Sequence, residues 1–324
     1  MNKLLSWING KSKDFQLELE EHLWPSKWLG ECYSFKVRIT IGNDQARGSG
    51  VASDKVDALT TAVAEALERY LFKISQFKST NGLAVYPSEA ECIRRASFEL
   101  VERDLFFCHY LTKTPFIRSE FTESFATDQW QQFVATCKEH GVKVELRELQ
   151  KNNIGYGMIC LAQGANTFPV RFGATIGLGF GENKYDAAFK AVKECAAQVA
   201  FNIDGDISTD GVSIESFSKQ THWNVEDQRK WTFNPDSVKG IAPLFMKDGV
   251  EHEVKCFSVE TKQVHWPIEY SDIPLKAYRA YSSEMQGLFF GPVREEILNI
   301  RRLSKFTGQP ITVDRLQHFP HPLV

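Results

Sequence analysis

Two stretches of this chain carry acidic residues at helical spacing within otherwise apolar sequence. Glu65 and Glu68 are matched 34 positions later by Glu99 and Glu102, and each pair is followed by an arginine. Residues three or four apart lie on one face of a helix, so each stretch predicts a helix with an acidic stripe. Carboxylates that face one another repel unless a cation neutralises them, and hard ions such as Mg2+ prefer oxygen ligands and carry phosphates. The pattern therefore predicts a site for a metal ion and a phosphate group.

The ordinary alternative is a surface role. A lone Glu-x-x-Glu-Arg on a helix usually lies on a solvated face with weak ion pairs. Two copies at a fixed separation, both within apolar helices, favour a site instead. The sequence has no P-loop motif, and Gly177-x-Gly179-x-Gly181 has the wrong spacing for a dinucleotide fingerprint. Any nucleotide site must therefore be built from the acidic helices.

The composition indicates a soluble globular protein. The chain has 324 residues, of which 43% are hydrophobic and 24% charged, enough to bury a substantial core. Its net charge of -3 argues against a general nucleic-acid binder. No apolar run approaches the roughly 20 residues of a membrane helix, and the first residues do not form a signal peptide. The seven cysteines are scattered without a C-x-x-C pair, so we expect a cytoplasmic, reducing location and no membrane partner.

Helices and strands alternate without a strict period, so we expect a mixed α/β (α+β) fold in a single domain over 1–324. Asp54 and Ser88 are suited to cap the two acidic helices. Three further segments are expected: an N-terminal segment at 1–45, an irregular excursion at 204–240 and a proline-rich tail at 309–324. Helices are predicted at 54–76, 88–112, 124–140 and 184–203, and strands at 34–41, 143–148, 154–163 and 166–176.

The acidic stretches resemble the signatures of YcaO-domain proteins, which are ATP-dependent enzymes that phosphorylate a backbone amide oxygen of a peptide. The first YcaO signature, S-x-x-x-E-x-x-E-R, is matched by Thr61, Glu65, Glu68 and Arg69. The second is matched by Asn81-Gly-Leu-Ala and by Glu91, Glu99, Glu102 and Arg103. The third follows a Gly-x-Gly turn and is matched by Lys190, Glu194 and Gln198, with Lys in place of the usual Arg. The resemblance covers the chain from residue 45 to its last residue.

This resemblance implies a YcaO-like fold in which layered sheets and helices form an acidic cradle for ATP and Mg2+. It implies that the metal ions are held by Glu65, Glu68, Glu99 and Glu102, with Glu91 in support. Arg69 and Arg103 would neutralise phosphate oxygens or fix the carboxylates. Further ATP contacts are implied at Thr61, Lys190, Glu194 and Gln198.

The last residues indicate which YcaO reaction is carried out. YcaO cyclodehydratases, which form azoline rings, typically end in P-x-P-x-P, and here the sequence reads Pro320-His321-Pro322-Leu323-Val324. The resemblance thus implies that this tail, with His321 and the Val324 carboxylate, orients the substrate or supplies a base. The bland alternative is an extended proline-rich tail.

We therefore expect a cyclodehydratase that forms thiazoline or oxazoline rings in a ribosomally made precursor peptide, as in bacteriocin biosynthesis. Two enzyme alternatives share the ATP site, namely thioamide and amidine formation. A third alternative is an inactive scaffold, because Pro87, Lys190 and Val324 depart from the family pattern. The segment ahead of the first signature is too short for a peptide-recognition domain, so a separate partner protein that binds the leader peptide is expected. Homodimerisation is left open.

Overall fold

The computed structural model describes most of the chain. Outside the described residues lie 1–3, 5–6, 8–9, 11–14, 76, 78, 165–172, 205–214, 216–222, 253, 255–257 and 324. The described part divides into two compact units, which are taken one at a time below. The first unit comprises Met1–Leu100 and Ser258–Ser283, and the second comprises Val101–Phe257 and Glu284–Val324.

The structure confirms a mixed α/β fold. The strands are β1 (Phe15–His22), β2 (Tyr33–Ile41), β3 (Asp44–Ala52), β4 (Leu83–Tyr86), β5 (Lys143–Glu148), β6 (Tyr156–Gln163), β7 (Ala174–Gly181), β8 (Glu260–Gln263) and β9 (Lys276–Tyr281). The helices are α1 (Trp24–Trp28), α2 (Lys55–Ile74), α3 (Glu89–Thr112), α4 (Glu120–Ser124), α5 (Asp128–Glu139), α6 (Lys184–Asp204), α7 (Val225–Phe233), α8 (Ser237–Ile241), α9 (Pro243–Met246) and α10 (Ile300–Thr307). Short 3-10 turns lie at Ile268–Tyr270, Glu295–Ile297 and Val313–Arg315.

In the first unit, α2 packs on an antiparallel sheet of order β1-β2-β3. Alternate residues of β2 face this helix, and Phe35, Val37 and Ile39 are buried as a period-2 strand pattern requires. Asp54 caps α2 as predicted, because its side chain accepts hydrogen bonds from the next turn of backbone. A second small sheet has the order β4-β9-β8, and α3 begins in the residues of this unit.

Two glycines of β3 let α2 lie directly on the strand. A Cβ atom at Gly48 or Gly50 would overlap the backbone of α2 at Ala58, Ala62 or Ala66. Glycine on the strand and alanine on the helix therefore remove the side chains that would otherwise separate the two backbones.

The second unit repeats this arrangement. Its sheet has the order β5-β6-β7, α6 packs on β7, and Gly177 approaches the α6 backbone at Ala191 and Cys195. Residues of β7 and α6 lie 129 positions after their counterparts in β3 and α2, as Glu194 does after Glu65. The helices even begin alike, with Lys-Val-Asp-Ala in α2 and Lys-Tyr-Asp-Ala in α6. We call β3 together with α2 the first layer, and β7 together with α6 the second layer.

The structure differs from the sequence predictions in three places. The strand predicted at 166–176 lies partly outside the described residues, and the glycine run that follows residue 173 is the fully buried strand β7, which continues five residues beyond the predicted end. The helix predicted at 124–140 is α5, which begins only at Asp128, and the separate short helix α4 precedes it; each has its own N-cap. Within the predicted excursion at 204–240, residues 205–214 and 216–222 lie outside the described part, but α7 and α8 follow them. Asn224 and Asp227 form a reciprocal capping box at the start of α7, which the polar composition conceals.

Candidate functional site

Glu68, on the first signature, has a carboxyl group whose pKa is strongly raised. Its side chain is partly buried on α2, and Oε1 accepts a hydrogen bond from the Val85 N–H of β4 at 2.9 Å. Burial raises the pKa of Glu68 well above its ordinary value, against the lowering effect of that hydrogen bond, and the charges of Glu99 and Glu65 raise it further. The structure thus brings together three of the four predicted metal ligands closely enough for their charges to interact.

Glu65 is held by groups on both sides. Its Oε2 accepts hydrogen bonds from the backbone N–H of Ser49 at 2.5 Å and from the Ser49 hydroxyl at 3.1 Å. Its Oε1 forms an ion pair with Arg69 at 2.5 Å, one helical turn on. Thr61 lies one turn earlier, where its Cβ is next to Gly50. The first signature therefore forms one face of α2, as predicted.

The Asn81-Gly-Leu-Ala segment enters β4 beside acidic groups of both helices. Gly82 has a φ of +74°, a conformation that favours glycine, and its N–H donates to Glu99 Oε2 at 3.3 Å. Three residues later, Val85 donates to Glu68. A carboxylate from α3 thus holds the residue just before β4, and a carboxylate from α2 holds a residue within that strand.

Glu91 is neutralised by its own helix. Burial would raise the pKa of Glu91, but the hydrogen bonds and charges of Arg94 and Arg95 lower it overall. The Arg95 charge also acts on Glu68, where it lowers the pKa. Arg95, whose guanidinium lies 4.1 Å from the centre of the Tyr86 ring, is therefore part of this site although the signatures did not single it out. In the sequence, its position four residues after Glu91 on the same helix was the signal that could have identified it.

The second unit contains the rest of the predicted set. On α3, Glu102 Oε1 and Arg103 Nε lie 3.9 Å apart, and both side chains are largely buried. The next residue, Asp104, forms a buried two-point ion pair with Arg302 and also accepts the Gln286 N–H at 2.8 Å. This pair, which sequence reasoning missed, fixes the turn of α3 that carries Glu102 and Arg103.

Residues of the third signature form hydrogen bonds with the backbone of β7, the strand of the second layer. Glu194 Oε2 accepts the Leu178 N–H at 2.7 Å, and Lys190 Nζ donates to the Phe180 carbonyl at 2.7 Å. Gln198 lies one turn further along α6 and is partly buried. The Glu194 contact repeats, in the second layer, the hydrogen bond between Glu65 and Ser49 in the first. Nucleotide binding by these residues stays a prediction.

The tail belongs to the second unit and packs within it. Pro320, His321 and Pro322 are described and Val324 lies outside the described residues. His321 is fully buried, and its Nε2 donates to the Phe289 carbonyl at 2.7 Å. Burial, together with the Arg103 charge, lowers the pKa of His321 to about 4, so its ring is neutral near pH 7. The predicted roles of the tail in orienting substrate or supplying a base stay predictions.

No protein-family model and no curated protein matches the chain. Solved structures do match. The fold is similar to that of YcaO from Methanopyrus kandleri, solved with AMPPCP and Mg2+ bound, with a TM-score of 0.57 and 13% identity over 88% of this chain and 91% of that one. The chain has the YcaO fold. A heterocyclase solved with substrate and cofactor has the same fold, with a TM-score of 0.68 and 12% identity over 99% of this chain and 56% of the heterocyclase. A chain of the E. coli microcin synthetase complex McbBCD gives a TM-score of 0.52 and 11% identity, covering 83% of this chain and 88% of that one.

Within this YcaO fold, the carboxylates of the first unit suit a hard divalent cation. Glu68 is raised in pKa by burial and by like charges, which is the penalty that a bound cation would relieve. Among the described residues, no group of three or more His, Cys, Asp and Glu side chains is gathered closely enough to hold a metal ion alone. Mg2+ is commonly held by one or two carboxylates together with substrate phosphates, so the donor chemistry fits a metal that arrives with a nucleotide.

The described part of this YcaO-fold chain contains no helix long and apolar enough to cross a membrane.

Proposed function

We propose that this protein belongs to the YcaO enzymes and uses ATP and Mg2+ to activate a backbone amide of a peptide. The observation that carries the proposal is the buried carboxyl of Glu68 between the like charges of Glu65 and Glu99, on helices that match the YcaO signatures. The fold supports the proposal because it is shared with a YcaO protein that binds AMPPCP and Mg2+.

The acidic and the basic residues of the site have different proposed roles. Mg2+, when bound, would screen the negative phosphate oxygens and offset the repulsion among the carboxylates. Glu65, Glu68 and Glu99 would hold it, and Glu102, one turn after Glu99 on α3, would add a fourth carboxylate. Arg69 and Arg103 would neutralise phosphate charge, each already placed beside a glutamate. Enzymes that transfer phosphoryl groups work mainly by such positioning and charge stabilisation.

We further propose cyclodehydration as the reaction. A Cys, Ser or Thr side chain of the peptide would attack the preceding carbonyl carbon, and its proton would pass to a base. The former carbonyl oxygen would then attack the γ-phosphorus of ATP, which releases ADP. Loss of the amide proton and expulsion of that oxygen as phosphate would leave the C=N bond of the ring. The Pro-x-Pro tail favours this reaction over thioamide or amidine formation, which would need external sulfide or an amine.

The proposed substrate is a ribosomally made precursor peptide, presented by a separate protein that binds its leader. Two solved structures of this fold support such partners, since one is a heterocyclase with its substrate and the other a synthetase complex.

Binding and turnover test the proposal separately. AMPPCP binding, measured by calorimetry, should require Mg2+ and should fall at least tenfold in Glu68→Gln, while Glu31→Gln, an exposed change of the same charge, should bind like the wild type. With a Cys- and Ser-rich peptide and its partner, ATP hydrolysis should accompany loss of one water per ring. Exchange of oxygen for sulfur would identify a thioamide former, and AMPPCP binding that does not need Mg2+ would refute the site.

A further inference from the structure

Three buried side chains donate hydrogen bonds to the backbone of the tail. Tyr110 Oη and Trp231 Nε1 both donate to the Pro320 carbonyl, at 3.0 and 2.8 Å. Gln228 Nε2 donates to the next carbonyl, that of His321. We call Tyr110, Gln228 and Trp231 the tail seat. The seat thus holds two successive carbonyl groups of the tail in place.

Aromatic rings enclose the same segment. The His321 ring meets Phe107 edge-on, with 4.9 Å between ring centroids, and Phe289 at 5.2 Å. His321 and Leu323 are both fully buried. Backbone hydrogen bonds and side-chain burial therefore fix the tail together, which is typical of a built binding groove and not of a loose extension.

One member of the seat, Tyr110, lies on α3, the helix that carries the second signature, whereas Gln228 and Trp231 lie on α7. Arg103, Phe107 and Tyr110 are four and three residues apart on α3, so they lie along one helix face. Phe107 contacts His321 and Tyr110 holds Pro320, while the Arg103 charge acts on His321. The tail therefore packs along the face of α3 on which Arg103 lies.

We propose that Tyr110, Gln228 and Trp231 are positioning residues that hold the tail in one place beside Arg103. This inference rests on the proposed function, in which Arg103 contacts the phosphates of ATP and the tail meets the peptide. A tail fixed in this way is ordered before any peptide arrives, so no binding energy is spent on ordering it. None of the three side chains belongs to the YcaO signatures matched in the sequence.

The first test does not depend on activity. In the double variant Tyr110→Phe/Trp231→Phe, both donors to Pro320 are lost and each position keeps an aromatic ring, with a phenyl ring in place of the larger indole at position 231. Loss of an ordinary hydrogen bond changes an opening equilibrium by about fivefold, so hydrogen exchange of the amides in 316–323, followed by mass spectrometry, should quicken by tenfold or more. Tyr281→Phe, on an exposed tyrosine of β9, is the matched control and should leave this exchange unchanged. Exchange equal to that of the wild type in the double variant would overturn the seat.

The second test measures turnover with peptide and ATP. The double variant should lose about tenfold in kcat for peptide modification, with the KM for ATP within twofold of the wild type. A faster tail exchange with an unchanged kcat would overturn the positioning role. A wild type that binds Mg2+ and AMPPCP but modifies no peptide would refute the proposed function, and the exchange experiment would still decide whether the seat holds the tail.

Discussion

Replacement of Glu68 by glutamine should stabilise the metal-free protein while weakening its binding of nucleotide. The glutamine keeps an oxygen that can accept the Val85 N–H, but it removes a buried charge that faces Glu65 and Glu99. Relief of an unfavourable charge commonly contributes about 0.5–2 kcal/mol to the free energy of unfolding. For a domain of 150–250 residues, about 1 kcal/mol corresponds to a rise of about 2–4 °C in Tm.

The pH dependence follows from the direction of the shift. The folded-state pKa of Glu68 lies above the ordinary 4.5, so the folded protein binds more protons than the unfolded one between those two values. Below the ordinary value both states are protonated, and the wild type and Glu68→Gln should have equal Tm. The advantage of the variant should grow as pH rises through the raised pKa and should be complete above it.

Mg2+ and AMPPCP should reverse this order. A ligand at 100 times its Kd stabilises the folded state by about 2.7 kcal/mol, and only the wild type should gain this fully. Thermal unfolding should be measured at pH 5 and pH 8, with and without both ligands, which gives the Tm of each variant under all four conditions. Glu31→Gln serves as the control. A Tm of Glu68→Gln at or below that of the wild type at pH 8 without metal would refute the reasoning.

Three further substitutions test the scaffold. Glu194→Ala should lower the free energy of unfolding by about 1–3 kcal/mol, because the buried Leu178 N–H loses its acceptor, while Glu194→Gln should cost less than half as much in urea unfolding. Asp104→Asn leaves the Arg302 charge buried and unbalanced and should cost about 3–5 kcal/mol, and an unchanged urea midpoint would contradict this. Gly177→Ala should lower Tm by several degrees, because the added Cβ would overlap the α6 backbone. Equal Tm values for the variant and the wild type would contradict this, since they would mean that β7 and α6 can move apart.

The acidic helices could be predicted because several local signals agree. Asp54 caps α2, apolar residues recur at helical spacing in α2 and α3, and the carboxylates lie on one stripe of each. Such signals act within one element, so sequence alone placed Glu65 and Glu68 on one face correctly. It also predicted the mixed α/β class, which the structure confirms.

Other parts of the site depend on contacts between distant residues. The pairing of Asp104 with Arg302 joins positions 198 apart, and no local pattern predicts it. The predicted irregular excursion conceals α7, because its polar sequence outweighs the capping signal of Asn224 and Asp227. Trp231 on this helix was the remaining cue, since a tryptophan in polar sequence often marks a buried anchor.

The Gly177-x-Gly179 run illustrates a second reason. The spacing of its glycines excludes a dinucleotide fingerprint, but it does not reveal that they serve the close approach of α6 to β7. That role depends on which helix packs on the strand, and this is a contact that the local sequence does not specify.

The two layers are a structural repeat whose copies differ at one informative position. Both copies have a glutamate on the helix that accepts a strand N–H. At the position that corresponds to Glu68, the second copy has Ala197. The first copy alone therefore bears the unfavourable buried charge, while the second retains only the scaffold contact. In the proposed function, the first layer therefore carries the destabilising carboxyl that binds metal, while the second keeps only the contact that fastens its helix to its strand.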